Sequence, residues 1–266
     1  KGSKIPGFAY IMPKMKDLKH DSVHHAEPRR RPLTPYGGKG KLGHPYARLM
    51  RMCGAALRLA WSDMELRCWN INAVSEFATR IVACGSELRA RNPGTTRVIA
   101  FPFDVKAMFT EMTKADVRAA VHTALFNNRG WGKCKEYPEG VWVQPAPGGK
   151  FTARVKVGRR RKRKGEVLIP LAVIAEVVEF DLLQSVMKCG RHVVWQVHGI
   201  PMGSFLSAIL AGLTVSVAED ALYRRLPLRI SRRLSGVRYA DDGVTLVTEN
   251  EGDKEEVTAE EVFAMV

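Results

Sequence analysis

Apolar residues recur every three to four positions through "ARLMRMCGAALRLAW" (residues 47–61) and again through "NAVSEFATRIVACGSEL" (residues 72–88). That period predicts helices across residues 46–91, with the Met and Leu stripes as plain core. "RVIAFPFDV" (97–105) reads as a strand. Thr113 and Asp116 then make a capping-box-like helix start, with Val117, Val121 and Leu125 on one face. "GVWVQPAPGGKFTARVKV" (140–157) alternates as strand, Pro/Gly turn, strand. Pro170 suits the first turn of a long helix running to about Lys188, with Gly190 as its cap. "HVVWQV" (192–197) is a further strand, "GIPMGS" (199–204) a tight turn, and "FLSAILAGLTVSVAEDALYRRL" (205–226) a buried helix. "VRYADDGVTLV" (237–247) then reads as a hairpin, with Asp242-Gly243 as its turn signal. "YIMPKMK" (10–16) gives a short strand near the start, and "EEVTAEEVFAMV" (255–266) a closing helix. Strands and helices mix without regular βα alternation, so the expected class is α+β.

Charge narrows the function. The 266 residues carry 42 Lys and Arg against 27 Asp and Glu, a formal net charge of +15 and a pI near 9.8. Such an excess points to a polyanionic partner, either nucleic acid or an anionic membrane surface. The uncharged stretch between His198 and Glu219 is too rich in Gly, Ser and Pro for a spanning helix. No amphipathic basic helix of convincing length supports membrane binding, so none is expected. Cys53, Cys68, Cys84, Cys134 and Cys189 form no C-x-x-C pair, which predicts reduced thiols in an intracellular protein and no zinc site. Gly38, Gly40 and Gly43 formally match G-x-G-x-x-G, but no βαβ unit surrounds them. The run Arg159, Arg160, Arg161, Lys162, Arg163, Lys164 can track a phosphate backbone, act as a nuclear localisation patch, or be a solvated loop.

Against this basic background, three acids stand out. Asp241 and Asp242 are adjacent at the hairpin tip, and Asp104 lies at the end of the apolar strand 97–105. Acids are depleted in such strands and need a partner there. An ordinary turn and a strand-end cap account for each separately. If the two strands lie side by side, the carboxylates converge on one spot. That arrangement holds two Mg²⁺ ions about 3.5–4 Å apart in polymerases and nucleases. Successive strand residues face opposite ways, so Asp241 and Asp242 should play unequal parts.

"AFPFDVKAMF", "GIPMGSFLSAILA" and "RYADD", in this order, resemble motifs A, B and C of the reverse transcriptase palm. "YIMPK" followed by "RRRPLT" resembles the preceding fingers motifs, so the resemblance runs from about residue 9 to 262. The motif A and B forms look closest to retroelements of the Penelope and telomerase type. The resemblance implies an α+β right-hand palm, an antiparallel sheet packed on helices, with fingers and without a thumb. Fingers and connecting helices would occupy residues 1–95, and the palm residues 96–266 with a basic insertion around 130–190. It implies Asp104, Asp241 and Asp242 as the catalytic metal-site acids for two Mg²⁺, with Mn²⁺ as the alternative; Asp104 and Asp241 would be the two main ligands, and Asp242 would sit next to them, nearer the primer end. Phe109 would be an aromatic gate against the ribose 2′-OH. Lys14 and Arg31 would hold the incoming triphosphate. Met202 and Gly203 would approach the templating pair, Met202 standing where many relatives carry Gln.

The expected activity is RNA-directed DNA polymerisation, with an RNA template, a DNA primer and dNTPs as partners. The expected location is intracellular, with the nucleus open. The chain is expected to be a fragment, inactive alone if the thumb is required. Two rivals remain. One is a reverse-transcriptase-derived RNA-binding protein that no longer catalyses. The other is an RNA-dependent RNA polymerase, which would use rNTPs.

Overall fold

The computed structural model describes residues 7–8, 10–13, 30–33, 46–131, 137–156, 162–183, 186–189, 192–249 and 258–264. It is a mixed α and β protein, the class the hydrophobic pattern predicts, with antiparallel sheets packed on helices as the resemblance implies. The chain forms two compact units, each assembled from separated segments: residues 1–64 with 109–210, and residues 65–108 with 211–266.

In the first unit, β5 (Gly140–Ala146) lies between β6 (Lys150–Lys156) and β7 (Val167–Pro170), antiparallel to both. Pro145 is tolerated because β7 pairs only as far as Val143, leaving that stretch of β5 with one neighbour. Helix α1 (Ala47–Ser62) packs on this sheet and on α4 (Lys114–Phe126) and α5 (Leu171–Leu183). Helix α4 starts as predicted: Thr113 is its N-cap, accepting the Asp116 N–H at 3.1 Å, and Val117, Val121 and Leu125 are buried. Three short strands, β1 (Gly7–Phe8), β2 (Tyr10–Pro13) and β3 (Arg30–Leu33), lie near the start. β2 pairs with β3, and β1 runs parallel to β8 (Val186–Cys189), which pairs with β9 (His192–Trp195).

The expected helix from Pro170 to Lys188 is therefore corrected at both ends. Pro170 closes β7, the helix runs from Leu171 to Leu183, and Val186–Cys189 is a strand. A short apolar run fits either period, and here a strand partner decides it.

In the second unit, β10 (Leu234–Tyr239) pairs with β11 (Asp242–Glu249), which pairs with β4 (Arg97–Asp104), all antiparallel. Pro102 sits on β4, an edge strand, where a missing N–H costs no ladder bond. One face of the sheet packs against α2 (Phe77–Arg91) through Cys84 and Leu88. The other face packs through Ile99, Phe101 and Phe103 against Trp69, Tyr223 and Ile230. Tyr223 belongs to α6 (Ser207–Arg225), Ile230 to α7 (Leu228–Arg233), and Val262 of α8 (Ala259–Ala264) joins the same core. Trp69 lies so flat on the strand that a Cβ at Gly236 would come 2.4 Å from its ring. The short α3 (Met108–Glu111) follows β4.

Among the described residues, Cys53, Cys68 and Cys84 are free thiols. Burial pushes the Cys53 thiol up to about 12, so it is an inert core residue.

Candidate active site

The register of the second sheet determines which acids meet. Asp104 on β4 stands directly opposite Asp242 on β11. Directly opposed residues of an antiparallel pair share one face, with Cβ atoms about 4.5–5.5 Å apart. Both are exposed. Farther along that face Val244 and Leu246 of β11 pack with α2, while Pro102 and Ala100, their partners on β4, are exposed. Asp104 and Asp242 thus sit at an uncovered end of this face.

Asp241 is not part of the ladder. Tyr239 pairs with Asp242, leaving Ala240 and Asp241 as a two-residue loop. The expected turn at Asp242-Gly243 is corrected by two positions. Gly243 serves packing instead: a Cβ there would lie 2.3 Å from the Phe103 ring across the ladder. Ala240 has φ +55, the left-handed region, a cost of about 1–2 kcal/mol for a residue with a Cβ. The Asp241 carbonyl accepts the Val105 N–H at 2.7 Å, tying the loop to the residue after Asp104. The sequence ranked Asp241 as the nearer partner of Asp104. The register places Asp242 there, with Asp241 beside it in the loop.

No hydrogen bond or ion pair involves the Asp104, Asp241 or Asp242 carboxylates among the described residues. In a chain of net charge +15, three neighbouring acids that pair with none of the described cations form a local negative site. Among the described residues no group of three or more His, Cys, Asp and Glu forms a ready-made metal cage. An open pair of carboxylates still fits Mg²⁺, which uses one or two protein carboxylates and completes its shell with water and substrate phosphates.

Behind the sheet is a charge network that the sequence reading missed. Arg238 is fully buried. Its Nε donates to Glu219 Oε1 at 2.6 Å, its Nη2 to Glu219 Oε2 and Ser216 Oγ at 3.3 Å each, and its Nη1 to the Ala240 carbonyl at 2.9 Å. Glu219 Oε2 also accepts the Trp69 N–H at 3.1 Å. The signal available in the sequence was an arginine inside an alternating apolar strand, with Glu219 and Asp220 ending an uncharged stretch of helix. Glu219 borders a largely apolar cavity of about 490 Å³, lined also by Trp69, Phe103 and Leu222.

The remaining candidates belong to the first unit. Phe109 is half-buried, and its carbonyl accepts the Ile200 N–H at 2.8 Å. Gly199, at φ +73, leaves only 2.5 Å between an added Cβ and that carbonyl. The structure therefore brings Phe109 against the turn that carries Met202, half-buried, and Gly203, exposed at φ +131. Ser204 of this turn donates to the buried Asp181 at 2.6 Å and accepts the Leu206 N–H at 3.1 Å. Arg31 lies on β3, while Lys14 falls outside the described residues. Arg159, Arg160 and Arg161 also fall outside them; Lys162, Arg163 and Lys164 are exposed. The exposed end of the basic run is pinned by Glu166, which accepts the Arg163 N–H at 2.6 Å and, at 2.5 Å each, Nε and Nη2 along one guanidinium edge of Arg154. Those bonds pull the Glu166 carboxyl down to about 2. No helix among the described residues is long and apolar enough to cross a membrane.

No known family profile matches the chain, and no curated protein matches it. Solved structures do. Telomerase from Candida albicans in complex with the TWJ fragment of telomeric RNA matches with a TM-score of 0.65 at 15% identity, over 92% of this chain and 38% of that one. Telomerase from Candida tropicalis in complex with the same kind of RNA fragment gives 0.63 at 13% identity, over 97% and 39%. Apo telomerase from Candida tropicalis, truncated from the C-terminal domain, gives 0.57 at 14%, over 91% and 44%. The chain thus spans well under half the length of these telomerases. At such identities the likeness is one of fold: this chain has the fold of the telomerase polymerase region.

Proposed function

We propose that this telomerase-like fold is a reverse transcriptase domain, adding dNTPs to a primer 3′-OH under the direction of an RNA template. One observation carries the reading: Asp104 and Asp242 side by side on an exposed sheet end, with Asp241 in the adjoining loop and no cation among the described residues paired with them. Asp104, Asp241 and Asp242 would hold Mg²⁺, and the bound ions supply positive charge to triphosphate oxygens and to the primer hydroxyl. The order of the three motif-like segments "AFPFDVKAMF", "GIPMGSFLSAILA" and "RYADD" along the chain supports a polymerase over a nuclease.

The other residues then take the roles that the motif resemblance implies. Phe109 excludes a ribose 2′-OH, and the turn holding Met202 and Gly203, hydrogen-bonded to the Phe109 backbone through Ile200, shapes the nucleotide's surroundings. Lys14 and Arg31 bind triphosphate oxygens, and the run Arg159 to Lys164 binds template or primer phosphates. Retroelement origin and a nuclear location belong to the same proposal.

The test is primer extension on an RNA template with Mg²⁺, comparing dNTPs with rNTPs. Extension with dNTPs is expected, and Asp104→Asn or Asp241→Asn should reduce it at least about a hundredfold while RNA binding and folding persist. Extension by rNTPs alone would make the protein an RNA polymerase. RNA binding without any extension would make it a non-catalytic binding protein.

A further inference from the structure

A charge buried as completely as Arg238 needs a reason beyond stability. Replacing a buried ion pair with apolar residues of similar volume is often neutral or stabilising. An apolar residue cannot, however, reach in three directions at once. The Arg238 guanidinium binds Glu219 through two nitrogens, Ser216 through one of them, and the Ala240 carbonyl through the third. Glu219 borders a cavity, so its place depends on hydrogen bonds from Arg238 and the Trp69 backbone more than on packing. Arg238 is in turn fixed along its own backbone, its N–H bonded to the Trp69 carbonyl at 2.7 Å and its carbonyl to the Ile71 N–H at 2.9 Å.

The group held at the far end is the central peptide of the hairpin loop. Of the two loop residues, Ala240 has positive φ and Asp241 does not. That is the pattern of a II′ turn, whose first loop position is normally Gly. Type I′ needs positive φ at both positions, so rotating the Ala240–Asp241 peptide converts one turn into the other and changes φ at Asp241. The next peptide is tied separately, since the Asp241 carbonyl accepts the Val105 N–H. The peptides on both sides of Asp241 are therefore anchored, one of them by Arg238.

We infer that Arg238, braced by Glu219 and Ser216, is a positioning residue that locks the Ala240–Asp241 peptide and so aims the Asp241 carboxylate alongside Asp104 and Asp242. Its kinetic consequence rests on the polymerase reading; its structural consequence does not. Lysine at 238 keeps the charge beside Glu219 but has no planar fork to hold the loop carbonyl as well. Glycine at 240 favours the same turn without help, because it adopts positive φ freely. The lock therefore predicts rescue: Ala240→Gly should repair Arg238→Lys.

The experiment measures the three-bond amide coupling and amide shifts of residues 240–243 by NMR on the ¹⁵N-labelled chain, together with primer extension and RNA binding. Arg238→Lys should move the Asp241 coupling and lower kcat about tenfold or more, with KM for dNTP and RNA affinity within twofold of wild type. Adding Ala240→Gly should return the coupling and at least half of kcat. Hairpin signals unmoved by Arg238→Lys would overturn the proposal, as would a drop in kcat that Ala240→Gly leaves unrepaired. If Arg238→Lys does not fold, Arg238→Met with Glu219→Gln is read in the same way. A wild-type chain that extends nothing refutes the polymerase reading, and the coupling and its recovery still judge the lock.

Discussion

The gate proposed for Phe109 has the most direct test. The residue is five positions beyond Asp104, half-buried, with its backbone bonded to the Gly199–Gly203 turn. A steric gate acts by clash, so truncation should admit the larger sugar while leaving the acids untouched. Phe109→Ala should raise kcat/KM for rNTPs relative to dNTPs by roughly tenfold or more, measured by single-nucleotide incorporation. Unchanged sugar discrimination would reduce Phe109 to a packing residue. Residues of this kind were legible because they depart from their surroundings: Asp104 is an acid closing an apolar strand, and Asp241 an acid beside another acid. The pairing of Asp104 with Asp242 was not legible. It depends on where the loop falls, and the Asp-Gly signal competes with the Ala240–Asp241 loop actually used. Gly243 is required by the ring of Phe103, a close approach across strands that sequence spacing does not encode.

At the scale of elements, one helix start and one hairpin followed their local chemistry. Thr113 caps α4, and the Pro/Gly turn joins β5 to β6. The failures were at short apolar runs such as Val186–Cys189, where a helix and a strand look alike until a partner is known. Two elements yield measurable expectations. Gly199 has φ +73 and its missing Cβ faces the Phe109 carbonyl, so Gly199→Ala should cost on the order of 1–3 kcal/mol, read as a shift in denaturant midpoint. Acid should act on the β5–β6–β7 sheet through Glu166. Its folded pKa, about 2, lies below the ordinary value of 4.5. The stabilisation is therefore present above about pH 4.5 and lost as pH falls toward 2. An acid titration followed by circular dichroism should show this change, and Glu166→Gln should remove that part of the pH dependence. An identical acid profile in the variant would place the sensitivity elsewhere.

For the whole molecule, the governing quantity is charge. Lys162, Arg163 and Lys164 are exposed beside the Arg154–Glu166 pair that pins their loop. If the run from Arg159 to Lys164 lies on nucleic acid, neutralising it should flatten the plot of log affinity against log salt. The slope should fall by about 0.7–0.9 for each phosphate that the run no longer neutralises. Filter binding at several salt concentrations measures that slope, and an unaltered slope would put the run off the nucleic acid. Composition made this expectation visible before any fold was known. What composition and spacing did not reveal is that the chain builds two units from interleaved segments, residues 65–108 rejoining 211–266.

That interleaving sets a timetable for the chain as it is made. When the ribosome has released Asp104, the strand that will hold Asp242 is still about 140 residues away. At about 5–20 residues per second, β4 waits roughly seven to thirty seconds with its ladder groups and Phe101 and Phe103 unpaired. The intervening segment, residues 109–210, belongs to the other unit and can fold first. The newborn protein thus spends that interval with an aromatic edge strand uncovered, which makes it a client for chaperones before its acids have met.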